Sequence, residues 1–103
     1  MGRFVESEHD LNQWTKCVGL DKSLPRTAKL TLIGISLFID HAKWQAEVTQ
    51  ASVADALNES RSTLNAHWKT AVKGPYVTKI GSHEYKAGNR TMLGPTVRLT
   101  IPD

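Results

Sequence analysis

The sequence predicts an α+β domain in which four helices precede a single β-hairpin. Three observations carry that expectation. Apolar residues recur every three or four positions up to about Lys73, and every second position after Pro75. Gly74-Pro75 divides the two regimes, because glycine relaxes the backbone and proline cannot continue a helical ladder. A chain of 103 residues forms one domain, long enough to bury a core and too short for two.

The first helix is expected over residues 7–19. Leu11, Trp14 and Val18 share a face, Ser7 is placed to cap the start and Gly19 to stop it. "DKSLP" is a connector, with Pro25 or Thr27 near the start of the next element. The second helix is expected over residues 27–44 with two apolar stripes. Leu30, Ile33, Leu37 and Trp44 form one, and Ala28, Leu32, Ile35, Ile39 and Ala42 the other. Its β-branched content leaves a buried strand as the alternative. Gly34 in its middle costs about 1 kcal/mol against alanine, which points to a close crossing by another helix.

Two shorter helices follow, at 49–57 and 61–73. Thr49 caps the first, whose Val53, Ala56 and Leu57 are expected to face inward. "NES" interrupts the pattern, and Ser60 caps the second. A hairpin is expected over residues 76–101. "YVTKI" and "TVRLTI" alternate, and folding about Gly88 sets Val77 against Leu99, Lys79 against Val97 and Lys86 against Arg90. The last pair places like charges opposite one another, which is destabilising unless an anion lies beside them.

Charge is distributed unevenly. Residues 1–60 carry six Lys/Arg against eight Asp/Glu, whereas residues 61–103 carry seven against Glu84 and Asp103. The C-terminal part therefore offers a positive surface to a polyanion. The longest apolar-rich run, Leu30 to Ile39, is far shorter than the roughly 20 residues a bilayer requires. No charged-then-apolar leader opens the sequence, and the single Cys17 can form no internal disulfide, so a cytoplasmic location is expected. His9, His41, His67, His83 and Cys17 lack the spacing of a zinc cluster, and no serine stands in the context of an activated nucleophile. Neither an enzyme nor a metal or cofactor site is expected.

The helix at 61–73 carries the functional expectation. On a helical wheel Leu64, Trp68, Ala71 and Val72 share one side, while Ser62, Ala66, Lys69, Thr70 and Lys73 point away and Thr63 and Asn65 lie at the borders. No acid follows Glu59 in this segment, so the face lacks the Glu/Lys pairs of an ordinary surface helix. Two short helices broken by three residues have the dimensions of a helix-turn-helix, whose second helix enters the DNA major groove. In that setting Arg61 suits guanine and Asn65 adenine, Ser62, Thr63 and Ala66 permit close approach, and Lys69 and Lys73 suit phosphates.

"TQASVADALNESRSTLNAHWKTAV" resembles the helix-turn-helix of the winged-helix DNA-binding superfamily, as found in small prokaryotic, plasmid and phage proteins. Ala54, Leu57 and the "SRSTLNAHWK" run carry the resemblance. Glu59 stands where the turn is usually apolar, and Trp68 exceeds the usual aliphatic anchor. The resemblance implies a winged helix-turn-helix preceded by one extra helix, with the hairpin as the wing. It assigns Lys79, Lys86 and Arg90 to the DNA backbone or the adjacent minor groove. The implied function is sequence-specific binding of double-stranded DNA by a homodimer. The role would be a transcriptional regulator, or an accessory factor for plasmid or phage replication, partition, conjugative transfer or recombination within a larger nucleoprotein complex. The protein would then be associated with the nucleoid or a plasmid. The Leu11/Trp14/Val18 helix is expected to serve as a dimer contact or a brace. A winged helix used for protein interaction, without direct DNA binding, is the alternative.

Overall fold

The computed structural model describes residues 2–102. In chain order the elements are β1 (Arg3–Phe4), α1 (Glu8–Leu20), α2 (Arg26–Ser36), β2 (Ile39–Asp40), β3 (Gln45–Glu47), α3 (Gln50–Leu57), α4 (Arg61–Lys73), β4 (Val77–Ala87) and β5 (Arg90–Ile101). The described residues thus form an α+β domain of four helices and a five-stranded antiparallel sheet. The sheet is organised by β5. It pairs with β4 along its length, with β3 at Thr96 and Val97, and with β1 at Thr100 and Ile101. Val97, Leu99 and Ile101 alternate onto the helix side and are buried there with Trp14, Val18, Leu32, Ile35 and Val53.

Local chemistry explains most helix boundaries. Ser7 Oγ accepts the N–H of Asp10, Thr49 and Ser52 form a reciprocal capping box, and Ser60 Oγ accepts the N–H of Thr63. Between α3 and α4, Asn58 takes the left-handed conformation at φ 55°, and Glu59 N–H closes back on Ala54 O at 2.9 Å. This turn is satisfied by backbone geometry, so the exposed Glu59 needs no apolar contact to form it. Gly34 is required where α2 crosses α3: a Cβ there would meet Val53 Cγ1 and Leu57 Cδ1 at 2.8 Å each.

A strut ties α1 to the junction of α4 and β4. The Trp14 indole N–H donates to Tyr76 O at 3.0 Å, and Tyr76 O–H donates to Asp21 Oδ2 at 2.7 Å. Burial, and then the neighbouring Asp21, push the Tyr76 phenol up to about 12. Hydrogen bonds from Ser23, and then from Tyr76, hold the Asp21 carboxyl below its ordinary range. At the other end of α1, Arg3 bonds Asp10 at 2.6 Å and, with the N–H of Glu6, holds that carboxyl low as well. The N-terminal helix is a brace between α2 and β5. It runs one residue past Gly19, with Asp21 as its C-cap.

The structure corrects the expected order of four helices before a single hairpin, since β1 precedes α1 and β2 and β3 lie between α2 and α3, and it corrects four further expectations. The helix expected over 27–44 ends at Ser36, and the chain turns into the β2/β3 hairpin. Asp40 forces the reversal: its Oδ1 accepts the N–H of Ala42, its carbonyl accepts the N–H of Trp44, and Trp44 sits at φ 55°. The buried Ile39 and Ala46 pair across this hairpin, so the sheet takes what a longer helix would have packed. The Ala28/Leu32/Ile35 stripe is core, and of the other stripe Ile33 and Trp44 pack half-buried against it, whereas Leu30 and Leu37 are exposed, as is Ala42. Ala56 also faces solvent, and Ala54 takes its place in the core.

The fourth correction concerns the hairpin. Val77 opposes Leu99 and Lys79 opposes Val97 as expected, but a bulge between Lys79 and Gly81 leaves Ile80 without a partner. Beyond it every pair is displaced by one, so Lys86 opposes Thr91 and Ala87 opposes Arg90. A two-residue turn, Gly88-Asn89, closes the hairpin, with Gly88 at φ 65°. No Lys86/Arg90 repulsion exists across it.

Candidate nucleic-acid interface

The helix α4 is seated by Leu64 and Ala71, which are buried, and by Trp68 and Val72, which pack against the core edge. That seating fixes the opposite face. Arg61, Ser62, Thr63, Asn65, Ala66, Lys69 and Lys73 are all exposed. The helix contains no acid, and Lys73 in its last turn complements the helix dipole. Ser60, Ser62 and Thr63 form a hydroxyl cluster at its start, in which Ser60 Oγ also donates to Thr63 Oγ1 at 2.8 Å. Thr63 turns toward α2, lining a small hollow with Thr27, Leu30 and His67, so it sits at the margin of the exposed face.

Beside α4, an open cleft of about 560 Å³ separates the helices from the outer half of the hairpin. Gln50, Ala51, Ser52 and Asp55 of α3 and Arg61 of α4 form one wall; Tyr85, Lys86, Met92, Leu93 and Pro95 are on the other. The sequence-predicted residues Arg61 and Lys86 therefore come together across one opening. Asp55 sets a single carboxylate among them.

The bulge decides which hairpin residues share a face with Val97. Counting back from the core-facing Val97, residues Pro95, Leu93 and Thr91 share its side of the ribbon, and their partners are Ser82, Glu84 and Lys86. Without the extra residue Ile80, His83 and Tyr85 would occupy that side, because a slip of one residue exchanges the faces. With it, Lys86 shares a face of the ribbon with Thr91 and Leu93, while His83, Tyr85, Met92 and Arg90 share the other.

The other expected backbone contacts are spread more widely. Lys79 borders a separate apolar hollow of about 320 Å³ with Ile35, Trp68, Val72 and Val97, at the base of the hairpin. Arg90 is at the tip on the face opposite Lys86. These three hairpin cations thus do not form one cluster, and Lys86 alone of them lines the cleft.

Gln50, Ser52, Tyr85 and Leu93 are cleft residues that the sequence pattern did not single out. Gly94 was the available signal. A Cβ at Gly94 would stand 2.9 Å from His83 Cε1 and 3.0 Å from Val48 O, so the ribbon can lie close to the segment entering α3 only with glycine there.

Among the described residues no group of three His, Cys, Asp or Glu side chains could share a metal ion. No helix there is long and apolar enough to cross a membrane. No family model, no curated protein and no solved structure matches this chain.

Proposed function

We propose that the chain is a winged helix-turn-helix protein that binds double-stranded DNA sequence-specifically, with α4 as the recognition helix and the outer half of the β4/β5 hairpin as the wing. One observation carries the reading. An acid-free helix presents Arg61, Asn65 and Ala66 outward from a buried Leu64/Ala71 seat, beside a cleft whose far wall holds Lys86.

The face is narrow enough for the major groove, since its central residues are Ser62, Asn65 and Ala66. Arg61 and Asn65 supply the bidentate donors and acceptors that read guanine and adenine, and Lys69 and Lys73 reach phosphates on the flank. Lys86 meets the backbone from the hairpin side, with Arg90 reaching it from the tip. If about five cations neutralise phosphates, log K falls with log salt at a slope of about −4 to −5. Such a module serves a transcriptional regulator and a mobile-element accessory factor equally. In either role, a homodimer would read two half-sites about one helical turn apart.

A mobility-shift assay with random duplex at low salt, followed by selection of bound DNA from a random pool, tests the reading. A shift that weakens steeply with salt and a selected consensus are expected. No shift at low salt would discard DNA binding and favour a protein-interaction module.

A further inference from the structure

The outer half of the hairpin stands clear of the sheet. On the edge away from β4, β5 pairs with neighbouring strands only from Thr96 onward, and one further bond joins Val48 N–H to Pro95 O. In this projecting ribbon Leu93 is 70% exposed, at the mouth of the cleft that Arg61 and Lys86 line. Met92, next to it on the other face of the ribbon, also borders the cleft but has a place in the fold, because Tyr85 O–H points at its sulfur at 3.9 Å.

The surroundings of Leu93 define what it can meet. Toward the tip, the adjacent row on its face is the Lys86/Thr91 pair, and across the cleft stands Arg61. Its own cross-strand partner is Glu84. A carboxylate beside a side chain with no donor repels phosphate from that row, while Lys86 attracts phosphate to the tip side of it. The part of a duplex that lies beside a phosphate track and accepts an apolar group is the sugar and base-edge floor of the minor groove.

On the premise that the cleft takes duplex DNA, we propose that Leu93 is an apolar wedge. It enters the minor groove beside the hairpin, partly unstacks one base step and bends the duplex toward the protein. Lys86 holds a flanking phosphate, and the bulge at Ile80 is what puts Lys86 on the same face as the wedge. The protein would then shape its site as well as read it.

End-to-end energy transfer on a doubly labelled, A/T-rich duplex of about three helical turns tests this at low salt. The wild-type protein is expected to raise transfer at saturation. Leu93→Ala should bind the same duplex within about threefold, since lost contact and avoided unstacking oppose each other, yet leave transfer near that of free DNA. Leu20→Ala, at an exposed leucine of α1 outside the cleft, should bend DNA like the wild type. Transfer that is unchanged by wild-type protein, or equally raised by Leu93→Ala, overturns the wedge while leaving DNA binding intact. Absence of binding to any duplex overturns both.

Discussion

The two ends of this molecule are built on opposite principles. At the base, where α1 meets β5 and the α4–β4 junction, Trp14 and Val18 are fully buried and a chain of hydrogen bonds runs from Trp14 through Tyr76 to Asp21. At the other end, α4 and the outer hairpin turn Arg61, Asn65, Lys69, Lys86 and Arg90 to solvent. No salt bridge engages these cations among the described residues. A side chain whose bonds are satisfied within the fold contributes to stability, and one left unpaired on a rigid element is free to bond something else. Stability and recognition should therefore be separable by mutation.

The largest effect is expected at the base. Trp14→Ala removes the largest fully buried side chain and its bond to Tyr76 O, and should cost about 3–5 kcal/mol in urea unfolding. A cost below about 1 kcal/mol would show that α1 is dispensable and would break the contrast.

At the exposed end, Arg61→Ala and Asn65→Ala should each cost about 1–3 kcal/mol in binding to a selected site, with unfolding midpoints unchanged. An unaltered consensus in a selection with both variants would remove their base-reading role.

Tyr76→Phe sharpens the comparison through pH. It should cost about 1 kcal/mol at neutral pH by removing the bond to Asp21. The folded Tyr76 phenol is raised to about 12, against about 10 in the unfolded chain, so its contribution is fully present below about pH 10 and is lost as pH rises through about 12. Unfolding followed across that window should show the alkaline loss in the wild type and not in Tyr76→Phe. The Asp10 and Asp21 carboxyls have the opposite sign: both are held low in the fold, so they stabilise it above the usual carboxylate range and cease to as pH falls.

The smallest change in free energy is expected for Lys86→Ala combined with Arg90→Ala. Both residues are exposed, so melting should not move, while the salt slope of duplex binding should flatten by about 2. A slope of full strength would place the hairpin away from the phosphates. If Lys86→Ala alone accounts for the flattening, the cleft face outweighs the tip.

The parts of the fold that could be read in advance are those that short-range chemistry decides. Ser7, Thr49 and Ser60 each bond a backbone N–H three residues on, so their helices begin where the pattern begins. Likewise the exposed face of α4 follows from the spacing of Leu64 and Ala71. The errors lie where two distant segments had to agree. Ile39 continues an apolar stripe at helical spacing, yet Ala46 and Val97 were available to form a sheet with it, and Asp40 could turn the chain to reach them. Apolar spacing alone does not distinguish those outcomes, since burial is satisfied by either.

The same division holds for the candidate site. Residue types, caps and periodicity suffice to present a polar, acid-free helix face and a basic hairpin, because those properties depend on neighbours three or four positions away. Which hairpin side chains meet that face depends on one unpaired residue, Ile80, and on the depth at which Val97 and Leu99 anchor β5 in the core. A bulge is a compromise between strand pairing, sheet twist and packing, all long-range terms, and it was the folded sheet that put Lys86 and Leu93 together at the mouth of the cleft.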